Sequence, residues 1–111
     1  MDKKKVIVID DVELNRVILK EAFKNDFEVL EAENGALGLQ KIKENQDDVS
    51  AVFLDIIMPE MDGFAVLQEL NISSLIQKIP VFLITTDATS DGIMAMITSS
   101  IMLFVVVFER V

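Results

Sequence analysis

Apolar and polar positions along this chain fall into blocks whose period switches repeatedly between that of a strand and that of a helix. Val6-Ile-Val-Ile9 is an unbroken β-branched run, the pattern of a strand covered on both faces, and it stops at Asp10-Asp11. Leu14, Val17, Ile18, Ala22 and Phe23 then recur at helical spacing, with Glu13 in the first turn where the helix dipole favours an anion. Phe27 to Ala32 predicts a second strand, and Asn34-Gly35 opens a second helix carrying Leu39 and Ile42. Ala51-Val-Phe-Leu54 repeats the buried-strand pattern and ends at Asp55; Phe64, Leu67 and Leu70 predict a helix after the Pro59 to Gly63 loop. Pro80 introduces a strand over Val81 to Ile84, followed by Thr85-Thr86. A short helix around Asp91 to Ser99 and a strand over Ile101 to Phe108 complete the series.

Strands alternating with helices predict an α/β fold, a parallel sheet with right-handed crossovers and helices on both faces. No repeat, low-complexity tract or linker interrupts the series, so one domain over residues 1–111 is expected. In open sheets of this kind ligands bind beyond the carboxyl ends of the strands. Asp10, Asp11, Asp55 and Thr85 each follow an apolar run, and if the strands are neighbours these side chains meet in one crevice.

Charge narrows what that crevice can do. Nineteen acidic residues against ten basic ones give a net charge of −9, which opposes nucleic acid and anionic lipid. The chain has no cysteine and no histidine, so thiolate chemistry, disulfides and imidazole ligands are excluded, leaving carboxylates, hydroxyls and lysines. Three carboxylates in one site repel each other, and a bound cation resolves the repulsion most simply. With oxygen ligands only, magnesium fits, as does manganese. Beside such an ion a carboxylate can act as nucleophile toward a phosphoryl group, and Asp55 is best placed for it. Each feature alone also has an ordinary explanation: Asp10-Asp11 as a helix cap, Asp62-Gly63 as a turn, Thr85 and Thr86 as strand residues. The apolar run after Met1-Asp-Lys-Lys-Lys5 is too short for a signal peptide, which predicts a cytoplasmic protein. Gly92 to Phe108 carries no charge and is near the minimum length of about 17 residues for a membrane span, but Val105-Val-Val107 suits a buried strand better.

Three segments carry a resemblance: Val8-Ile-Asp-Asp-Val-Glu-Leu-Asn-Arg16, Leu54-Asp-Ile-Ile-Met-Pro-Glu-Met-Asp-Gly63 and Ile79-Pro-Val-Phe-Leu-Ile-Thr85. Together they resemble the receiver domains of two-component response regulators over about residues 4–94. The resemblance implies a flavodoxin-like, doubly wound parallel five-stranded sheet of order 2-1-3-4-5. It implies that Asp55 accepts a phosphoryl group from a partner histidine kinase or phosphotransfer protein. Asp10, Asp11, Asp55 and the Ile57 backbone carbonyl would hold magnesium. Thr85 would be the switch hydroxyl, with Thr86, Met58, Pro59 and Gly63 around the phosphoryl group. Such a domain is regulatory rather than an enzyme, and it would signal to a downstream effector by protein contact.

The chain departs from the family pattern after about residue 94. No lysine follows Lys78, where the family places one after the fifth strand, and Arg110 is the candidate substitute, although a guanidinium is not an ammonium. The family's final helix is expected to be missing from the atypical 95–111 tail. An apolar tail without that cover predicts a homodimer through the C-terminal region. A receiver reduced to an interaction module is therefore the competing reading. A magnesium-dependent phosphatase is the third; by resemblance it needs a second Asp two residues after the nucleophile, where this chain has Ile57.

Overall fold

A computed structural model describes residues 3–55, 58, 63–73, 78–85 and 103–107. The elements run β1 (Lys5–Ile9), α1 (Glu13–Phe23), β2 (Glu28–Ala32), α2 (Gly35–Glu44), β3 (Val49–Asp55), α3 (Gly63–Ile72), β4 (Val81–Thr85) and β5 (Leu103–Val107). The five strands form one sheet in the order β2-β1-β3-β4-β5, and every pairing is parallel. The expected fold class and strand order are observed. The helix expected around residues 91–99 and the question of a final helix lie outside the described residues. Within the uncharged 92–108 stretch, Leu103–Val107 is a strand, and no helix among the described residues is long and apolar enough to cross a membrane.

Strand register explains the core. Ile7 pairs with Val52 and Val52 with Val81, while Ile9 pairs with Leu54 and Leu54 with Leu83. Because side chains alternate across a strand, these six buried residues line one face of the sheet. Against them lie Leu39 and Ile42 of α2 and Val66, Leu67 and Leu70 of α3, joined by Met58 and Ile79. On the opposite face, Val8 and Phe53 pair, and the Phe53 and Phe82 rings stack at 5.1 Å. Phe23, in the last turn of α1, meets Phe53 with ring centroids 5.1 Å apart and so fastens the helix to that face.

The apolar positions that announce α1, Phe23 apart, do not point at the sheet. Leu14, Val17 and Ile18 are exposed, at 65%, 42% and 57%, and α1 has no fully buried residue. Arg16, Leu19 and Phe23 are its half-buried positions, and at 100° per residue they lie about half a turn around the helix from Leu14, Val17 and Ile18. Periodicity identifies the helix but not which side is covered.

α2 begins at Asn34, whose side-chain oxygen accepts from the Leu37 N–H at 2.8 Å, a standard N-cap. It lies close to β1 because Gly38 has no side chain. A Cβ there would clash with Ile9 Cδ1 and sit 2.6 Å from Ile9 Cγ1. Ile9 is fully buried in a central strand and cannot retreat. Gly38→Val is therefore expected to destabilise the fold by about 1–3 kcal/mol, seen as a lower urea midpoint. An unchanged midpoint would mean that α2 is free to shift outward.

Candidate metal and phosphoryl site

The carboxyl ends of β1 and β3 are neighbours, since Ile9 pairs with Leu54 and each is followed by aspartate. Single carboxylate oxygens of Asp10, Asp11 and Asp55 all lie within 4.8 Å of one another. Asp10 is buried, Asp55 half-buried and Asp11 exposed, so the cluster opens to solvent on one side. Three anionic oxygens at this spacing can share one hard dication, and the donor set contains nothing softer than oxygen. The residues present fit such an ion.

Asp10 is the rigid member. Its N–H donates to the Ala32 carbonyl at 3.0 Å, extending the β1–β2 ladder by one residue. Its Oδ1 accepts the Val12 N–H at 2.8 Å and its Oδ2 accepts the Asn15 amide at 3.1 Å. Both carboxylate oxygens are thus oriented while each retains lone-pair capacity. The helix-cap explanation for Asp10 and Asp11 does not apply: the N-cap of α1 is Val12, which has no side-chain cap. Asp11, by contrast, accepts no hydrogen bond from the described residues.

Thr85 ends β4 one residue past Ile84, the partner of Asp55, so its backbone stands at the same end of the sheet. Met58 is 7% exposed and belongs to the hydrophobic core. Gly63 is the buried first residue of α3. Ile57, Pro59, Thr86 and Arg110 lie outside the described residues.

Two further participants, Asn15 and Arg16, stand inside the first motif but carry no role that the sequence alone suggests. Asn15 donates to Asp10, and Arg16 donates from Nη1 to the Asp10 carbonyl at 2.7 Å while its Nε reaches Glu31 Oε1 at 3.3 Å. Their signal is positional: polar residues in the first turns of a helix that starts beside the acidic pair face back toward it.

Comparison with known proteins places this geometry. The chain is 44% identical over 69 residues to chemotaxis protein CheY of Bacillus subtilis (strain 168), covering 60% of this chain and 56% of that one. It thus spans a little over half the length of that relative. It is 32% identical over 85 residues to sensor histidine kinase CheAY of Helicobacter pylori (strain ATCC 700392 / 26695), covering 76% of this chain and 11% of that protein. Among solved structures, chemotaxis protein CheY4 of Vibrio cholerae superposes with a TM-score of 0.82 at 22% identity, over 98% of this chain and 89% of the other. CheY in the CheX-CheY-BeF3-Mg+2 complex from Borrelia burgdorferi gives 0.78 at 24% identity, over 98% and 82%. The response regulator receiver domain profile matches residues 6–106, nearly the whole chain, and the chain belongs to that family.

Proposed function

We propose that this chain is a phosphoacceptor switch in which Asp55 takes a phosphoryl group from a partner histidine kinase or phosphotransfer protein. The observation that carries the reading is the convergence of Asp10, Asp11 and Asp55 within 4.8 Å at the carboxyl end of a parallel sheet. A carboxylate oxygen of Asp55 attacks phosphorus, an O–P bond forms, and the P–N bond to the donor histidine breaks, its imidazole nitrogen taking up a proton. The ion would be held by Asp10, Asp11, Asp55 and the Ile57 carbonyl; the all-oxygen donor set suits magnesium, and manganese as well. When bound, it offsets charge on the phosphoryl oxygens. The Borrelia CheY, which shares this fold, forms its complex with CheX together with BeF3 and Mg+2, and that supports the same choice.

Output follows from charge. A phosphoryl group adds about −1.5 to −2 at the end of β3, and the Thr85 hydroxyl is the donor proposed to meet it, biasing the loop after β4 toward one of two conformations. Thr86, Met58, Pro59 and Gly63 would shape the surroundings. Arg110 is the proposed stand-in for the lysine that this chain lacks. The partners are then a kinase or phosphotransfer protein and a downstream effector in the cytoplasm, with neither nucleic acid nor membrane bound by this chain. In this role the domain is regulatory, catalysing at most its own phosphoryl transfer and dephosphorylation.

Incubation with magnesium and a small phosphodonor is expected to add one phosphoryl group per chain by intact mass, and chelation with EDTA to prevent it. No uptake under either condition would sink the switch reading. The exposed Leu14, Val17 and Ile18 favour a second reading, a receiver that acts only as an interaction or dimerisation module. In that case the amide spectrum of the β4 end would not respond to a phosphoryl mimic. A homodimer, there or through the C-terminal region, would appear as a concentration-dependent mass by sedimentation.

A further inference from the structure

We infer that Arg16 is a positioning residue for the cation site, acting through the Asp10–Asp11 peptide and held in place by Glu31; this rests on the reading of the acidic cluster as a magnesium site. The side chain of Asp10 is already fixed by the Val12 N–H and the Asn15 amide. What those bonds leave undetermined is the next residue, since exposed Asp11 has no donor of its own among the described residues. The Asp10 carbonyl and the Asp11 Cα share one rigid peptide plane. Fixing that carbonyl fixes the Asp11 N–H and Cα and leaves only the torsions of Asp11 itself to aim its carboxylate; the Arg16 Nη1 holds the carbonyl at 2.7 Å.

The guanidinium is itself braced. Its Nε lies 3.3 Å from Glu31 Oε1, with side chains only 14% and 30% exposed, and Lys20 approaches the other Glu31 oxygen at 3.6 Å. The contact therefore joins the end of β1, the first turns of α1 and the edge strand β2. A guanidinium presents donors in a planar fork and serves both acceptors at once; an ammonium at the end of a lysine would reach one of them. Glu31 also offsets a positive charge that would otherwise face a site built for a cation.

Charge and position predict opposite signs for Arg16→Met. Removing a positive charge near a dication site strengthens binding, whereas freeing Asp11 weakens it. Losing an outer support of this kind typically costs about 10–100-fold in metal affinity, and at least the lower figure is expected here. The chain has no tryptophan or tyrosine, so magnesium is best titrated against amide resonances. Arg16→Lys is expected to recover part of the loss. Glu31→Gln is expected to weaken binding severalfold and to add little on top of Arg16→Met. Leu70→Ala, a core truncation, lowers stability without changing magnesium affinity and so separates positioning from general loosening.

A wild type that binds magnesium alongside an Arg16→Met chain that binds equally or more tightly overturns the inference alone. A wild type that takes up no magnesium overturns both it and the metal reading beneath it. Should Arg16→Met fail to fold, Arg16→Lys and Glu31→Gln decide the matter, and wild-type affinity in both overturns the inference.

Discussion

Asp55→Asn is expected to reduce phosphoryl uptake to background while leaving the far-ultraviolet dichroism of the folded chain intact. Asparagine has nearly the same shape, so the packing at the end of β3 survives, but its amide supplies no anionic oxygen to attack phosphorus. The change also removes one of three mutually repelling carboxylates, so no penalty for added charge follows. Magnesium binding should weaken as well, because one of the three carboxylate ligands has become neutral. Asp11→Asn separates the two effects: it weakens magnesium binding while the nucleophile remains, so uptake slows and is partly recovered at high magnesium. If Asp55→Asn accepts phosphoryl groups at the wild-type rate, the acceptor lies elsewhere.

Leu54→Ala is expected to cost about 2–5 kcal/mol, a large share of the roughly 5–15 kcal/mol available to a domain of this kind. Leu54 is fully buried and sits between Ile9 and Leu83 in the strand register, at the centre of the face covered by α2 and α3. Its neighbours belong to three strands and cannot all close on the void, so the cavity should persist. Urea unfolding measures the loss. Because Leu54 immediately precedes Asp55, phosphoryl uptake is expected to fall with it, but only in proportion to the folded fraction. A loss of uptake in fully folded protein would show that Leu54 also sets the position of Asp55. A cost below about 1 kcal/mol would mean that the core repacks more freely than its burial implies.

β1, β3 and β4 were legible because each carries an apolar run closed by a polar residue, and the acidic residues that close β1 and β3 are the ones brought together. Parallel register did the rest, since Ile9 opposite Leu54 puts the following aspartates side by side. What could not be read was orientation. The 3.6-residue period of Leu14, Val17 and Ile18 is genuine, yet those positions face solvent and the half-buried ones are Arg16, Leu19 and Phe23. The role of Arg16 is hidden for the same reason: a charged residue in a surface helix reads as solvated until β2 places Glu31 against it. Gly38 was equally silent, because a glycine inside a helix reveals a close approach only when the opposing Ile9 is known.

The position of the transferred group tests the central claim most directly. After reaction with a small phosphodonor in magnesium, borohydride reduction of the acyl phosphate followed by peptide mass mapping is expected to mark Asp55 and no other residue. A mark on Asp10 or Asp11 instead, or phosphate carried as a stable ester on a hydroxyl such as Thr85, would contradict it.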